Sequence, residues 1–389
     1  MELPECFSEG IERLHEQAMA ATGLANFGDP TYLEGLRVLL ESYDETAHFG
    51  DTGRFSTWAM AVNCLRGRLY AIDGLKKHPA CRETPIEKPL FIVGLPRTGT
   101  TILHRLLASR VGNQGLEYWL GSYPQPRPPR SNWQDEERFK EVEQSLRMLN
   151  EISPELKKIH EMRAERVDEC RLLFMQSFAN VTFQASASVP GYEQWLYRAD
   201  MRDAYNLYAQ TLQLIGMNDG GKRWILKDPS HLWALDVLLE TFPDATIIQT
   251  HRDPVKLIPS VSNLVLTTRR MQEPEITPEQ IGSSQLSQWD IVLSRGMAVR
   301  KRHPDRFIDM YFDEFVRDPV AAVLDIYRQL GESTDDTTAA ALQEWMAQHP
   351  QHKHGGHSYR AEEFGLNPGQ IRERFADYCN YFEIREHVA

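Results

Sequence analysis

Gly94 and Gly99 stand with four residues between them in FIVGLPRTGTT (91–101). They fit the opening of a phosphate-binding G-x-x-x-x-G-K-S/T loop, with Thr100 in the lysine's place and Thr101 as the following hydroxyl. Such a turn, entering a helix, exposes backbone N–H groups at the positive end of the helix dipole. Arg97 lies inside the loop and can supply the missing cation, and Thr98, Gly99, Thr100 and Thr101 complete the candidate set. Without the lysine that reaches β- and γ-phosphates, the loop suits a single 5′-phosphate.

Two further stretches carry candidate chemistry. In THRDPVKLIPS, Arg252 closes a predicted strand and Ser260 falls two turns into the following helix. Strand ends collect ligands in open α/β sheets, and arginine suits bidentate phosphate recognition. In WILKDPSHL, Lys227 and His231 sit where a strand passes into a helix. Lys227 reads as a mobile point charge near a leaving oxygen, or else as a solvated lysine beside a capping Ser230. His231 is a candidate base or hydrogen-bond donor at neutral pH. The HRD triplet does not fit a protein kinase: Pro254 and Ile258 occupy the Leu and Asn positions, and no DFG follows. No metal-holding Asp of the NTPase kind ends a strand beside the loop.

The elements that must position these residues are readable from periodicity. PLFIV (89–93), RWILK (223–227), ATIIQTHR (245–252) and RFIDMYF (306–312) are short apolar runs suited to buried parallel strands. Helical patterns lie between them, and Pro254 is an N1-type proline. The expected fold class is therefore α/β, a P-loop-type parallel β-sheet flanked by helices with an N-terminal helical appendage. The expected division is 1–87 for the helical region and 88–389 for the P-loop-like domain. YPQPRPPR (123–130) reads as an extended proline-rich segment, a lid edge or a linker, and residues 133–180 as charged and helical in periodicity.

The chain has 389 residues and a formal net charge of −12, which disfavours nucleic acid as its main partner. Five cysteines, odd in number and widely spaced, read as reduced thiols. The N-terminus lacks a signal-peptide pattern and no run approaches the roughly 20 apolar residues of a spanning helix, so a cytoplasmic location is expected. His352, His354 and His357 cluster in HKHGGH without an acidic or cysteine partner nearby, so a flexible polar loop is favoured over a metal site. The aromatic run 193–216 reads as core and cleft wall.

Taken in order, PLFIVGLPRTGTTILHRLLAS, LKDPSHL, HRDPVKLIPSVSNL and HSYRAEEFGL (357–366) resemble the sulfotransferases that use 3′-phosphoadenosine-5′-phosphosulfate (PAPS), especially a bacterial branch related to tyrosylprotein sulfotransferases. The resemblance covers roughly residues 88–385. It implies that Arg97 to Thr101 bind the 5′-phosphosulfate, that Arg252 and Ser260 bind the 3′-phosphate, and that Lys227 stabilises the leaving phosphate. Relatives often carry a catalytic glutamate in a Trp-Glu pair; here that position is Leu120, after Trp119. The resemblance thus leaves His231 and Glu169 as the leading candidates for the base, with Glu117 behind them. It implies transfer of a sulfuryl group to a hydroxyl or amine of a small-molecule or lipid acceptor, with PAPS as co-substrate and no metal. A nucleotide-binding protein without transfer activity and a P-loop kinase are the alternatives. The N-terminal helices have two roles open, a cap over the acceptor cleft or a homodimer interface.

Overall fold

The computed structural model describes residues 3–155, 161–349 and 359–384; His352, His354 and His357 lie outside the described residues. Contacts group the chain into two units, each discontinuous in sequence. The first holds Met1–Pro85, Leu116–Gly220 and Val265–Ile276, and the second holds Ile86–Gly115, Gly221–Leu264 and Thr277–Ala389. The helical region expected to residue 87 falls in the first unit through Pro85. Residues 116–220, which the sequence reading assigns to the 88–389 domain, group with it.

The first unit opens with helices α1 (Ile11–Thr22), α2 (Tyr32–Thr46) and α3 (Asp51–Lys77). Leu14 and Ala18 of α1, Leu36, Leu39 and Leu40 of α2, and Leu65 and Leu69 of α3 recur at helical spacing and are buried. Each fully buried leucine stabilises the unit by roughly 1.5–3 kcal/mol. The Asp44 carboxylate of α2 accepts the backbone N–H groups of Phe7 and Ser8, both at 2.8 Å, and so supplies acceptors to the turn that precedes α1. The 193–216 aromatics behave as core: Tyr205 and Tyr208 are buried, and Tyr208 stacks on Phe174 at 4.7 Å between ring centroids.

Residues 133–180 are helical only in part, with the long helix ending at Ile152. Residues 164–168 instead pair with 116–119: Tyr118 and Trp119 donate to the carbonyls of Arg166 and Ala164, and Asp168 donates to that of Leu116. An antiparallel bridge joins Glu117 to Val167. These cross-segment bonds occupy backbone groups that a continuous helix would have used internally.

The second unit is built on a parallel sheet of β1 (Leu90–Gly94), β2 (Asn113–Gln114), β3 (Arg223–Lys227), β4 (Thr246–His251) and β5 (Phe307–Tyr311), in the order β2-β3-β1-β4-β5. All five residues of β1 are buried, as are four of five in β3 and five of six in β4, which explains the apolar runs 90–93, 224–226 and 247–248, while Lys227, Gln249, Thr250 and His251 are polar groups buried at the strands' carboxyl ends. β5 alternates, burying Ile308 and Met310 alone. Helix α4 (Thr100–Ala108) follows β1 and packs Leu103, Leu106 and Leu107 with Leu90, Ile92, Ile225 and Ile248 of the sheet. The two-residue β2 was not predicted, being too short to show a period. No helix among the described residues is long and apolar enough to cross a membrane.

Candidate active site

Because the strands are parallel, their carboxyl ends share one edge of the sheet. β1 is central there, with β3 on one side and β4 on the other, so the glycine loop is flanked by the strand that ends in Lys227 and the strand that precedes Arg252. The next strand outward, β5, delivers Phe312 to the same edge.

The loop itself is fixed by steric and hydrogen-bond demands. Gly94 pairs with Thr250 across the ladder and has φ +141°. A Cβ there would stand 2.1 Å from Thr250 Oγ1, so only glycine fits. The Thr98 hydroxyl donates to the Leu95 carbonyl at 2.7 Å and meets Thr250 Oγ1 at 2.6 Å. Thr98 is buried, so its side chain braces the loop from within, and only its backbone remains to serve a ligand. Arg97 adopts φ +70°, the left-handed region that costs an ordinary residue energy and is found where a turn must present groups outward. Gly99 precedes α4 with φ +82°, and no side chain caps the helix, so its first-turn N–H groups keep their anion-binding capacity. Thr100 is buried and Thr101 half-buried at that first turn.

Arg97, Arg252 and Ser260 come together. Arg252 Nη1 donates to the Arg97 carbonyl at 2.7 Å, and Arg97 Nε donates to Ser260 Oγ at 3.3 Å. The Arg252 guanidinium lies over the Phe312 ring, 4.1 Å from its centroid. Burial lowers the pKa of Arg252, the charge of Arg97 lowers it further, and Asp313 and Asp253 oppose the shift. Burial lowers that of Arg97 too, with Tyr359 opposing. Neither arginine loses its proton at neutral pH. The shifts mark a place where positive charge is crowded and an anion would be stabilised.

Lys227 is 2% exposed and pairs in register with Ile92, so its side chain is buried at the carboxyl edge of the sheet and is not the mobile or solvated group the sequence suggests. Asp228, not Ser230, caps the helix that follows, accepting from the Ser230 backbone N–H at 2.9 Å and from its hydroxyl at 2.7 Å. His231 is also buried, edge-on to Phe91 at 5.2 Å, and burial lowers its pKa to about 3. Its imidazole is neutral at pH 7 and a weak proton acceptor.

The two glutamates belong to the first unit, on segments the structure brings side by side through the Glu117–Val167 bridge. Glu117 accepts from Arg127 Nε at 3.1 Å and Nη2 at 3.0 Å, and Asp219 takes Arg127 Nη1 at 2.7 Å. Glu169 pairs with Arg171 at 3.2 Å. Leu120 is fully buried and carries no acid–base chemistry.

Sequence reasoning missed Thr250, Phe312 and Arg127. Thr250 and Phe312 had a readable signal, since Thr250 lies near the end of the predicted strand 245–252 and Phe312 closes the predicted strand 306–312. Arg127 sits within PQPRPP, where the prolines suggested a lid edge or a linker; its two ion pairs pin that segment. Among the described residues no cluster of three or more His, Cys, Asp or Glu has metal-holding geometry.

The sulfotransferase family signature matches residues 89–336. The chain is 34% identical to the crystal structure of sulfotransferase STF1 from Mycobacterium tuberculosis H37Rv, covering 96% of this chain and all of that one, with a TM-score of 0.87. It is 26% identical to sulfotransferase STF9 from Mycobacterium avium over 99% of both chains, with a TM-score of 0.89. It is also 24% identical, over 313 residues that span 74% of this chain and 75% of the relative, to the omega-hydroxy-beta-dihydromenaquinone-9 sulfotransferase Stf3 of Mycobacterium bovis. With its glycine loop, its parallel sheet and a family signature spanning most of its length, the chain belongs to the sulfotransferase family and is a sulfotransferase enzyme.

Proposed function

We propose that the protein transfers the sulfuryl group of PAPS to a hydroxyl of an apolar small molecule or lipid, releasing 3′-phosphoadenosine-5′-phosphate (PAP). The observation that carries the reading is the meeting of Arg97, Arg252 and Ser260 beside a lysine-less glycine loop. In this reading the loop N–H groups, Arg97 and the hydroxyls of Thr100 and Thr101 hold the 5′-phosphosulfate, while Arg252 and Ser260 hold the 3′-phosphate. The acceptor oxygen forms a new bond to sulfur in line with the bond that breaks to the 5′-phosphate oxygen. The leaving group gains negative charge, and Lys227, Arg97 and the loop amides stabilise it. The acceptor proton passes to a carboxylate. Glu117 and Glu169 are the candidates, because a His231 imidazole with a pKa of about 3 holds a proton poorly at pH 7. His231 is then an orienting group near Lys227.

A hydroxylated prenylquinone-type acceptor is supported by the name of the Stf3 relative, whose substrate is a menaquinone derivative. The test is transfer from radiolabelled PAPS into a panel of hydroxylated quinones, sterols and phenols, with wild type and the Lys227→Ala, Glu117→Gln and Glu169→Gln variants. Label entering a hydroxylated lipid, lost with Lys227→Ala and sharply reduced in one glutamate variant, is expected. Full turnover in the Lys227→Ala variant overturns the mechanism.

A further inference from the structure

The residues on either side of Arg252 are both held by the end of the chain. His251, the last residue of β4, is 1% exposed. Its Nε2 lies 2.8 Å from Asp309 Oδ1, and its Nδ1 lies 3.2 Å from the Tyr378 hydroxyl. The Phe382 ring covers the imidazole at 3.9 Å between centroids. Burial works to raise the pKa of Asp309, but its bonds to His251 and Arg300 outweigh that and lower it. Arg300 grips both Asp309 oxygens, at 2.7 and 2.6 Å. Asp309 is therefore a carboxylate and only accepts. Burial lowers the pKa of His251 against the pull of Asp309, so the ring is neutral: Nε2 carries the proton facing Asp309, Nδ1 accepts, and the Tyr378 hydroxyl donates to it. The Tyr378 oxygen is left with its lone pairs toward the Arg252 backbone, whose amide opposes the rise in its pKa caused by burial. On the other side of Arg252, the Asp253 carboxylate accepts from the Val255 backbone N–H at 2.9 Å and pairs with Arg372 at 3.4 Å.

We propose that the C-terminal helices Pro368–Arg374 and Ala376–Tyr381 clamp the turn that presents Arg252, and that Tyr378 and His251 are positioning residues for recognition of the nucleotide's 3′-phosphate. The proposal rests on the assignment of Arg252 to that phosphate. The chemical logic is orientation. Arg252 projects from a strand-to-helix turn, and a guanidinium recognises phosphate only when its fork is aimed. Asp309, His251 and Tyr378 form a chain of hydrogen bonds with a single direction, so loss of its neutral member Tyr378 loosens the turn without removing a charge.

The test is calorimetry on the full chain with PAP and with 5′-AMP, which lacks the 3′-phosphate, for wild type, Tyr378→Phe, Arg252→Ala and the double variant. Tyr378→Phe is expected to reduce the preference for PAP over 5′-AMP about tenfold, the scale of one lost hydrogen bond, with 5′-AMP affinity unchanged. Arg252→Ala is expected to reduce the preference at least as far, and adding Tyr378→Phe to it to do nothing more. If Arg252→Ala collapses the preference and Tyr378→Phe leaves it intact, or weakens both nucleotides equally, the positioning role is overturned and the phosphate assignment stands. If Arg252→Ala leaves the preference intact, the assignment itself fails. Should Tyr378→Phe fold poorly, Arg372→Gln loosens the other side of the turn, and the same preference must fall for the proposal to hold.

Discussion

In the first unit Arg127 is met by the carboxylates of Glu117 and Asp219; burial acts to lower its pKa, and the two carboxylates outweigh burial and raise it. In the second unit Arg252 donates to a carbonyl, and burial first, then the charge of Arg97, lowers its pKa against the opposing Asp313 and Asp253. Both sit in irregular segments between regular elements. The difference separates an arginine that completes a structure from one whose field calls for an anion: the first has its charge matched by neighbours on its own chain, the second has like charge added to it.

Removing the crowded cations tests the contrast most severely. Arg97→Ala or Arg252→Ala should cut sulfuryl transfer about 10²–10³-fold, the cost of one preorganised donor to developing negative charge. The melting temperature should hold or rise, since each substitution relieves repulsion on the other arginine. A melting temperature that falls with activity would place these arginines with Arg127. Arg127→Met should do the opposite, destabilising by about 3–5 kcal/mol in denaturant titrations because two half-buried carboxylates lose their partner. Adding Glu117→Gln to Arg127→Met should restore part of that loss, and no recovery would show that the pair is not what holds the segment.

Salt gives a milder separation. PAP affinity should weaken several-fold between low and physiological ionic strength, while the difference in stability between wild type and Arg127→Met should barely move, because the Arg127 pair is shielded from solvent. The smallest effect concerns His231. Its folded pKa of about 3 lies below the ordinary unfolded value of about 6.5, so the unfolded chain binds more protons between them. The stability this neutral burial contributes is full above pH 6.5 and is lost as pH falls toward 3, at no more than about 1.4 kcal/mol per pH unit. Unfolding titrations at pH 7 and pH 5 should show a drop that His231→Phe reduces. An unchanged drop would mean that His231 is not buried in its neutral form.

Much of this architecture could be read from local pattern. Three of the five strands, β1, β3 and β4, are buried on both faces and carry short apolar runs, and Gly94 and Gly99 mark a turn that side chains would obstruct. Arg252 was visible because a strand end is a place where ligands gather. What escaped has a common physical cause. The partners of Arg127 lie 10 and 92 residues away, so nothing in PQPRPP reveals that its charge is neutralised. The inward turn of Thr98 depends on Thr250, which lies 152 residues on. The burial of Lys227 and His231 follows from how the sheet edge is covered, and that decides whether a histidine is a base or a neutral ring. The candidate residues were legible; their burial and partners were not.

The close contact between Gly94 and Thr250 carries one more consequence. Because the turn and the β1–β4 seam share the same atoms at that point, the backbone of the loop cannot be reshaped without prying apart the middle of the sheet. On the proposed assignment of the donor, retuning of donor choice falls to the side chains of Arg97, Thr100 and Thr101 on this fixed scaffold and of Ser260 beside it, and those are the positions for an engineer to vary.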